Sequence, residues 1–190
     1  TAAITIDTVL VGDAGNPADP LIIGNAPDIG AVNYNYHIGT YEVTNSQYTA
    51  FLNATAATDT HSLYNTNMGS STHGGITRIG SSGSYTYTVK TGFDNKPVNF
   101  VSFWDAARFS NWLTTGGTEN GVYNLNGTTN PTNNTIIRDE TAWENGGVAV
   151  ASENEWYKAA YYDGNGGYTL YPTQSNSITT ADANYANSVG

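Results

Sequence analysis

Three stretches of this chain repeat apolar side chains at helical spacing. Tyr48, Phe51 and Leu52 fall at i, i+3 and i+4, Phe109, Trp112 and Leu113 do the same, and Trp156 is followed at that spacing by Ala159 and Ala160. Each stretch opens with a hydroxyl side chain three residues ahead of an amide or carboxyl: Thr44 and Gln47, Ser102 and Asp105, Ser152 and Glu155. In that arrangement the hydroxyl accepts from the third helical N–H while the later side chain reaches back to the cap. The pattern predicts helices within segments 41–53, 96–113 and 152–164, each burying one aromatic face. Gly116-Gly117 and Gly164 stand where the second and third helices would end.

Between these stretches the pattern changes. Residues 4–11, ITIDTVLV, alternate and are β-branched, which predicts a strand, followed by the turn-rich GDAGNPADP at 12–20. Residues 31–43 read as a second strand region running into the first helix. The Gly/Ser/Thr-rich stretch 54–95 contains one hairpin limb at Tyr85–Val89, and in the excursion 114–147 GVYNLNG and NTIIRDETAW read as short strands. Loops of such length in a compact domain serve function or assembly. The last 25 residues carry no helix signal. The sum is an α+β domain with few short helices, short antiparallel strands and much irregular loop. A chain of 190 residues builds one core, so a single domain is expected over 1–190, with 1–30 as an N-terminal strand and loop extension to 31–190.

Composition narrows the partners. Six Lys and Arg against sixteen Asp and Glu give a net charge of -10, and the basic residues stand singly, which excludes a nucleic-acid or anionic-membrane surface. Only 12% of residues are charged, and a surface of Asn, Thr, Ser, Gly and Tyr points to an extracellular or cell-surface protein whose signal peptide has been removed. No cysteine is present, which rules out disulfides, Cys-ligated metals and thiol nucleophiles in this chain. No apolar run approaches the roughly 20 residues that span a bilayer. Sequons at Asn53, Asn126 and Asn133 are the chance triplets of an Asn/Thr-rich chain.

Catalytic constellations are sparse. His37, His61 and His73 are the only imidazoles; His61 and His73 lie twelve apart in a polar loop without an adjacent carboxylate pair and read as solvated loop histidines rather than a zinc site. Asp139, Glu140, Glu144 and Asp163 read as surface charge, and no serine sits in a nucleophile elbow.

Three ordered motifs carry a resemblance: Tyr41 to Asn45; Pro97, Val98, Val101, Ser102, Asp105 and Ala106; and Ser152, Glu153, Glu155 and Trp156. With them the chain resembles, over roughly residues 30–190, the formylglycine-generating enzyme and sulfatase-modifying-factor family. YPTQS at 171–175 and EWYKAAYY look most like its bacterial secreted branch, associated with PEP-CTERM surface sorting. The resemblance implies an elaborated C-type-lectin-like fold. It also implies a calcium site at Glu42, Asn184 and the Tyr185 carbonyl, an oxygen set of the kind calcium takes. Two departures set the functional expectation. The family's Arg-Leu-Pro before the third helix is Ala149-Val150-Ala151, and neither the distal Gly-Asn-x-Trp-Glu-Trp segment nor the catalytic cysteines of true formylglycine generators occur. A thiolate-copper oxidase is therefore beyond this chain. The expectation is a non-catalytic extracellular module for surface recognition or self-assembly at a bacterial surface, the contacts made by the loops or by the N-terminal strand, which could form filaments. The alternatives are a calcium-assisted glycan-binding protein of lectin type and the N-terminal fragment of a formylglycine-generating-type enzyme.

Overall fold

The computed structural model describes residues 4–21, 29–127 and 136–183. In chain order its elements are β1 (Thr8–Val11), β2 (Tyr36–Gly39), α1 (Asn45–Thr55), α2 (Asn67–Ser70), β3 (Ile76–Ile79), β4 (Thr86–Val89), α3 (Phe103–Thr115), α4 (Glu140–Glu144) and α5 (Glu153–Tyr161). This is an α+β arrangement with two small antiparallel sheets, in which Thr8 faces Gly39 across β1 and β2 and Ile76 faces Val89 across β3 and β4. Contacts gather the chain into two compact units, residues 1–6 with 41–150 and residues 7–40 with 151–190. Among the described residues no helix is long and apolar enough to cross a membrane.

All three expected capping boxes form. The Thr44 hydroxyl accepts from the Gln47 N–H at 3.2 Å while Gln47 Oε1 accepts from the Thr44 N–H at 2.9 Å. Ser102 with Asp105 and Ser152 with Glu155 make the same reciprocal pairs, which satisfy donors that a helix start otherwise leaves orphaned. Gly116 caps α3 in the left-handed conformation at φ 81°, whereas α5 ends at an extended Tyr162 before Gly164 is reached.

In the first unit the helical apolar faces meet as the spacing requires. Tyr48, Phe51 and Leu52 of α1 pack with Phe109 and Trp112 of α3, Met68 of α2, Ile76 and Tyr87 in one buried cluster. The rings interlock rather than stack flat: Phe51 stands edge-on to Phe109 with centroids 5.4 Å apart. Such aromatic pairs add about 0.5–1.5 kcal/mol beyond the area they bury. A second cluster of Ala107, Val122, Tyr123 and Leu125 packs under Trp104, Ile136 and Trp143.

Several expected elements differ. The first strand is confined to β1 and the second to β2, because most of 31–43 is held by side-chain bonds and turns. GVYNLNG forms turns around the buried Val122, Tyr123 and Leu125, and Asp139 caps a short helix, α4, where a strand was expected; its side chain accepts from the Ala142 N–H at 3.0 Å. β3, the partner of the Tyr85–Val89 limb, was not expected, although Ile76, Thr77 and Ile79 are β-branched and stand between glycines.

The second unit reverses the expected face of α5. Trp156 is 54% exposed, while Glu155, Tyr157 and Lys158 are buried. Glu155, committed to the cap, also accepts from the Tyr34 hydroxyl at 2.7 Å, and its backbone carbonyl accepts from the Tyr36 hydroxyl. Lys158 donates to the Asp13 carbonyl at 2.8 Å, and burial pulls its pKa down against the pull of the Asp13 charge. The Tyr157 hydroxyl donates to Asp19 at 2.7 Å, and burial followed by that carboxylate raises the phenol well above its ordinary range. The Asn16 side chain donates to the Gly30 carbonyl at 2.8 Å and to the Tyr168 hydroxyl at 2.7 Å, and its oxygen accepts from the Val32 N–H. At Gly30, φ is +86° and a Cβ would lie 2.6 Å from the Tyr168 hydroxyl, so only glycine fits. This unit is cemented by tyrosine hydroxyls and amides more than by an apolar cluster.

Replacing Phe51 by Ala should cost about 3–5 kcal/mol, whereas Trp156→Ala should cost about 1 kcal/mol or less. Urea unfolding of both variants measures the contrast, and a large Trp156 effect would contradict the orientation of α5.

Candidate functional site

The C-terminal ends of α1 and α3 and the loop between α1 and α2 line a half-open pocket of about 250 Å³. Thr55 closes one side from α1, Gly116, Gly117 and Thr118 close another just past α3, and the loop contributes Asp59, Thr60, His61 and Leu63. The volume falls a little short of the roughly 300–1,000 Å³ usual for drug-sized ligands, so the space suits one small group.

Fixed charges hold the walls. Arg108, fully buried on α3, donates from Nε to Glu119 Oε1 at 2.7 Å and from Nη2 to Oε2 at 3.2 Å, a bidentate pair. Glu119 Oε1 also lies 3.3 Å from His61 Nε2, which fixes the imidazole at the cavity wall. Burial pushes the Glu119 carboxyl upward, but the hydrogen bonds from Arg108 and the Gly127 N–H, with the charges of Arg108 and His61, together hold it below its ordinary value. Opposite stands Asp59, whose Oδ2 accepts from Arg78 Nη1 at 2.9 Å and whose Oδ1 accepts from the Leu63 N–H at 2.7 Å. Burial raises the Asp59 carboxyl, outweighing the N–H groups and Arg78 that favour its charge. The Arg78 guanidinium lies over the Tyr85 ring at 4.2 Å and the Tyr64 ring at 4.7 Å. Asp59 and Ser62, flanking the Thr60-His61 pair, both take positive φ, 54° and 56°, a conformation that costs non-glycine residues free energy and that the surrounding bonds enforce.

The sequence expectations fall out unevenly. His61 is not a solvated loop imidazole: it is half-buried and paired. His37 and His73 are exposed, the first beside Thr8 Oγ1 at 3.4 Å, and among the described residues no three His, Asp or Glu side chains gather to hold a metal. Glu42 is an exposed carboxylate in the turn before α1, while Asn184 and Tyr185 lie outside the described residues. A carboxylate such as that of Glu42 can supply one or two of the roughly six to eight oxygens that calcium takes. Asp139 is a helix cap, Glu140 pairs with Arg138 at 3.1 Å, and Asp163 accepts from the Asn165 and Gly167 N–H groups in a turn. The Asn53 side chain pairs with both backbone groups of Tyr87 at 2.9 Å, bracing β4, and Asn133 lies outside the described residues. Asp59, Arg78, Arg108 and Glu119 are the residues that sequence reasoning missed; the one available signal was Arg108, an arginine set among Ala107, Phe109 and Trp112 on the apolar helix.

What the fold and cavity define is an α+β domain on three box-capped helices with a small, polar, charge-braced pocket. Residues 11–190 match the family model described as sulfatase-modifying factor enzyme 1-like domain, and the chain belongs to that family. No curated protein and no solved structure matches it.

Glu119 ties the site to stability. Its pKa in the folded state lies below the unfolded value near 4.5, so its contribution is fully present above that pH and is lost as pH falls through the folded pKa. Glu119→Ala, which strands the buried Arg108 charge, should cost about 3–5 kcal/mol at pH 7. The gap between wild type and Glu119→Gln should narrow below pH 4.5 in denaturant titrations; a gap independent of pH would contradict the pairing.

Proposed function

We propose that this chain is a non-catalytic extracellular module of its family that works by recognition at a bacterial surface. The supporting observation is the polar cavity between the ends of α1 and α3, its walls fixed by the Arg108–Glu119–His61 and Asp59–Arg78 pairs. Such preorganisation lowers the cost of binding, because side chains that read a ligand are already ordered. These 190 residues contain no cysteine and so carry no thiolate of their own. A C-type-lectin-like architecture and the secreted, PEP-CTERM-associated branch belong to the same reading. So does calcium assistance at Glu42, Asn184 and Tyr185, which predicts that binding weakens in EDTA.

Self-assembly is the second reading, supported by the N-terminal strand. Val9 and Leu10 of β1 are 50% and 57% exposed, and among the described residues β1 pairs with β2 alone, which leaves its other edge for a further strand.

Two measurements on the purified chain separate the readings. Recognition predicts signal on an array of bacterial surface polysaccharides and a mass that stays constant with concentration in light scattering. Self-assembly predicts a mass that grows with concentration and reverts in Leu10→Glu. A blank array with a constant mass would sink both.

A further inference from the structure

We infer that Asn120 is a self-modification site: its side-chain amide cyclises onto the Gly121 backbone nitrogen and then hydrolyses, which turns the residue into an acid beside Glu119 in the loop after α3. The inference is independent of the recognition and self-assembly readings.

Four asparagines of the chain precede a glycine, Asn120, Asn126, Asn145 and Asn165, and all four are exposed. In such a pair no Cβ on the second residue blocks the approach of its nitrogen to the asparagine Cγ. That nitrogen must first lose its proton, so a glycine N–H committed to a hydrogen bond is protected. Gly127 donates to Glu119 Oε2 at 2.6 Å, Gly146 to the Trp143 carbonyl at 2.9 Å and Gly166 to the Tyr162 hydroxyl at 3.0 Å. Gly121 donates to no group among the described residues. The same peptide is polarised from its other end. The Thr115 hydroxyl donates to the Asn120 carbonyl at 2.9 Å, sharing its proton with the Asn111 carbonyl at 3.1 Å. A donor on the Asn120 oxygen stabilises the charge that spreads onto it when the next nitrogen is deprotonated. Among the described residues the carbonyls of Asn126, Asn145 and Asn165 receive no such donor.

In the first step the Gly121 nitrogen forms a bond to Asn120 Cγ and the Cγ–Nδ2 bond breaks. Ammonia leaves, carrying the proton that the nitrogen gave up, and the exposed Asn120 side chain is the part that moves. Water then opens the resulting succinimide at either carbonyl. One opening gives aspartate. The other gives isoaspartate, in which the backbone runs through the former side chain and is one carbon longer. Either product sets a second carboxylate next to Glu119, which already holds Arg108. The longer backbone does more damage, because Gly121 lies so close on Asn111 that a Cβ would come within 2.7 Å of its Oδ1. Displacing Gly121 disturbs the amide that donates to the Thr118 and Tyr123 carbonyls and so loosens the pocket wall.

The test incubates the purified full chain in mildly alkaline buffer, folded and in urea, and follows each asparagine by fragmentation mass spectrometry. Labelling by isoaspartyl methyltransferase gives a second readout. In the folded chain Asn120 should convert about tenfold faster than Asn126, Asn145 or Asn165, the ratio that one protecting hydrogen bond supports, and in urea the four rates should converge. Thr115→Val should slow Asn120 about threefold in the folded chain and leave its rate in urea unchanged. The converted fraction should unfold at a lower urea midpoint than fresh protein. Equal rates at the four sites in the folded chain would overturn the inference, as would an Asn120 that persists while the urea sample converts. A Thr115→Val effect that survives in urea would overturn the part given to the carbonyl bond, and an unchanged midpoint the loosening of the pocket wall.

Discussion

The constraint on which this structure depends is the hydrogen bonding of irregular backbone. The described sheets are two-stranded and the connections are long, so many N–H and C=O groups lack a ladder, and each one buried without a partner costs about 1–3 kcal/mol. Buried side-chain amides meet that demand. Asn45 donates to the carbonyls of Phe93 and Lys96, at 3.1 and 2.8 Å, and anchors the segment before α3 onto the start of α1. Asn111 donates to the carbonyls of Thr118 and Tyr123 and accepts from the Tyr123 N–H, which folds the loop after α3 back against the helix. Gly75 packs on the amide of Asn45 and Gly121 on that of Asn111, where a Cβ would approach to 2.5 and 2.7 Å. In the second unit Asn16 does the same for Gly30 and Val32.

Tyrosine completes the scheme. A phenol buries a large apolar ring and still carries a donor to the next unpaired carbonyl, which is why a chain with fourteen tyrosines can be both loop-rich and packed. Tyr48 donates to the Leu63 carbonyl at 2.9 Å and Tyr87 to that of Ala56 at 2.8 Å, both from within the apolar cluster. Burial is the main reason the Tyr87 phenol rises to about 12, and these groups stay protonated donors at any ordinary pH.

The cavity follows from that bracing. Asn111 places Thr118, and Glu119 one residue on reaches Arg108 on the same helix and His61 on the opposite loop. The charged groups thereby stabilise a loop geometry that includes two strained residues, each carboxylate being held by an arginine in doing so.

Local chemistry was enough to write the helices. The hydroxyl-to-carboxyl spacing of the capping boxes and the i, i+3, i+4 aromatics of α1 and α3 are short-range signals, so they survive without knowledge of the fold, and the three family motifs sit on them. The face of α5 was not legible, because hydrophobicity favours burying Trp156, and only tertiary structure brings Tyr34, Tyr36 and Asp13 to satisfy Glu155 and Lys158 instead. β3 and α4 were missed because a four-residue strand or a five-residue helix is decided by its partners. The site was still less visible. Asp59, His61, Arg108 and Glu119 are scattered over sixty residues without motif or period, and a carboxylate becomes the keystone of a cavity only when folding removes water from the arginine it must neutralise.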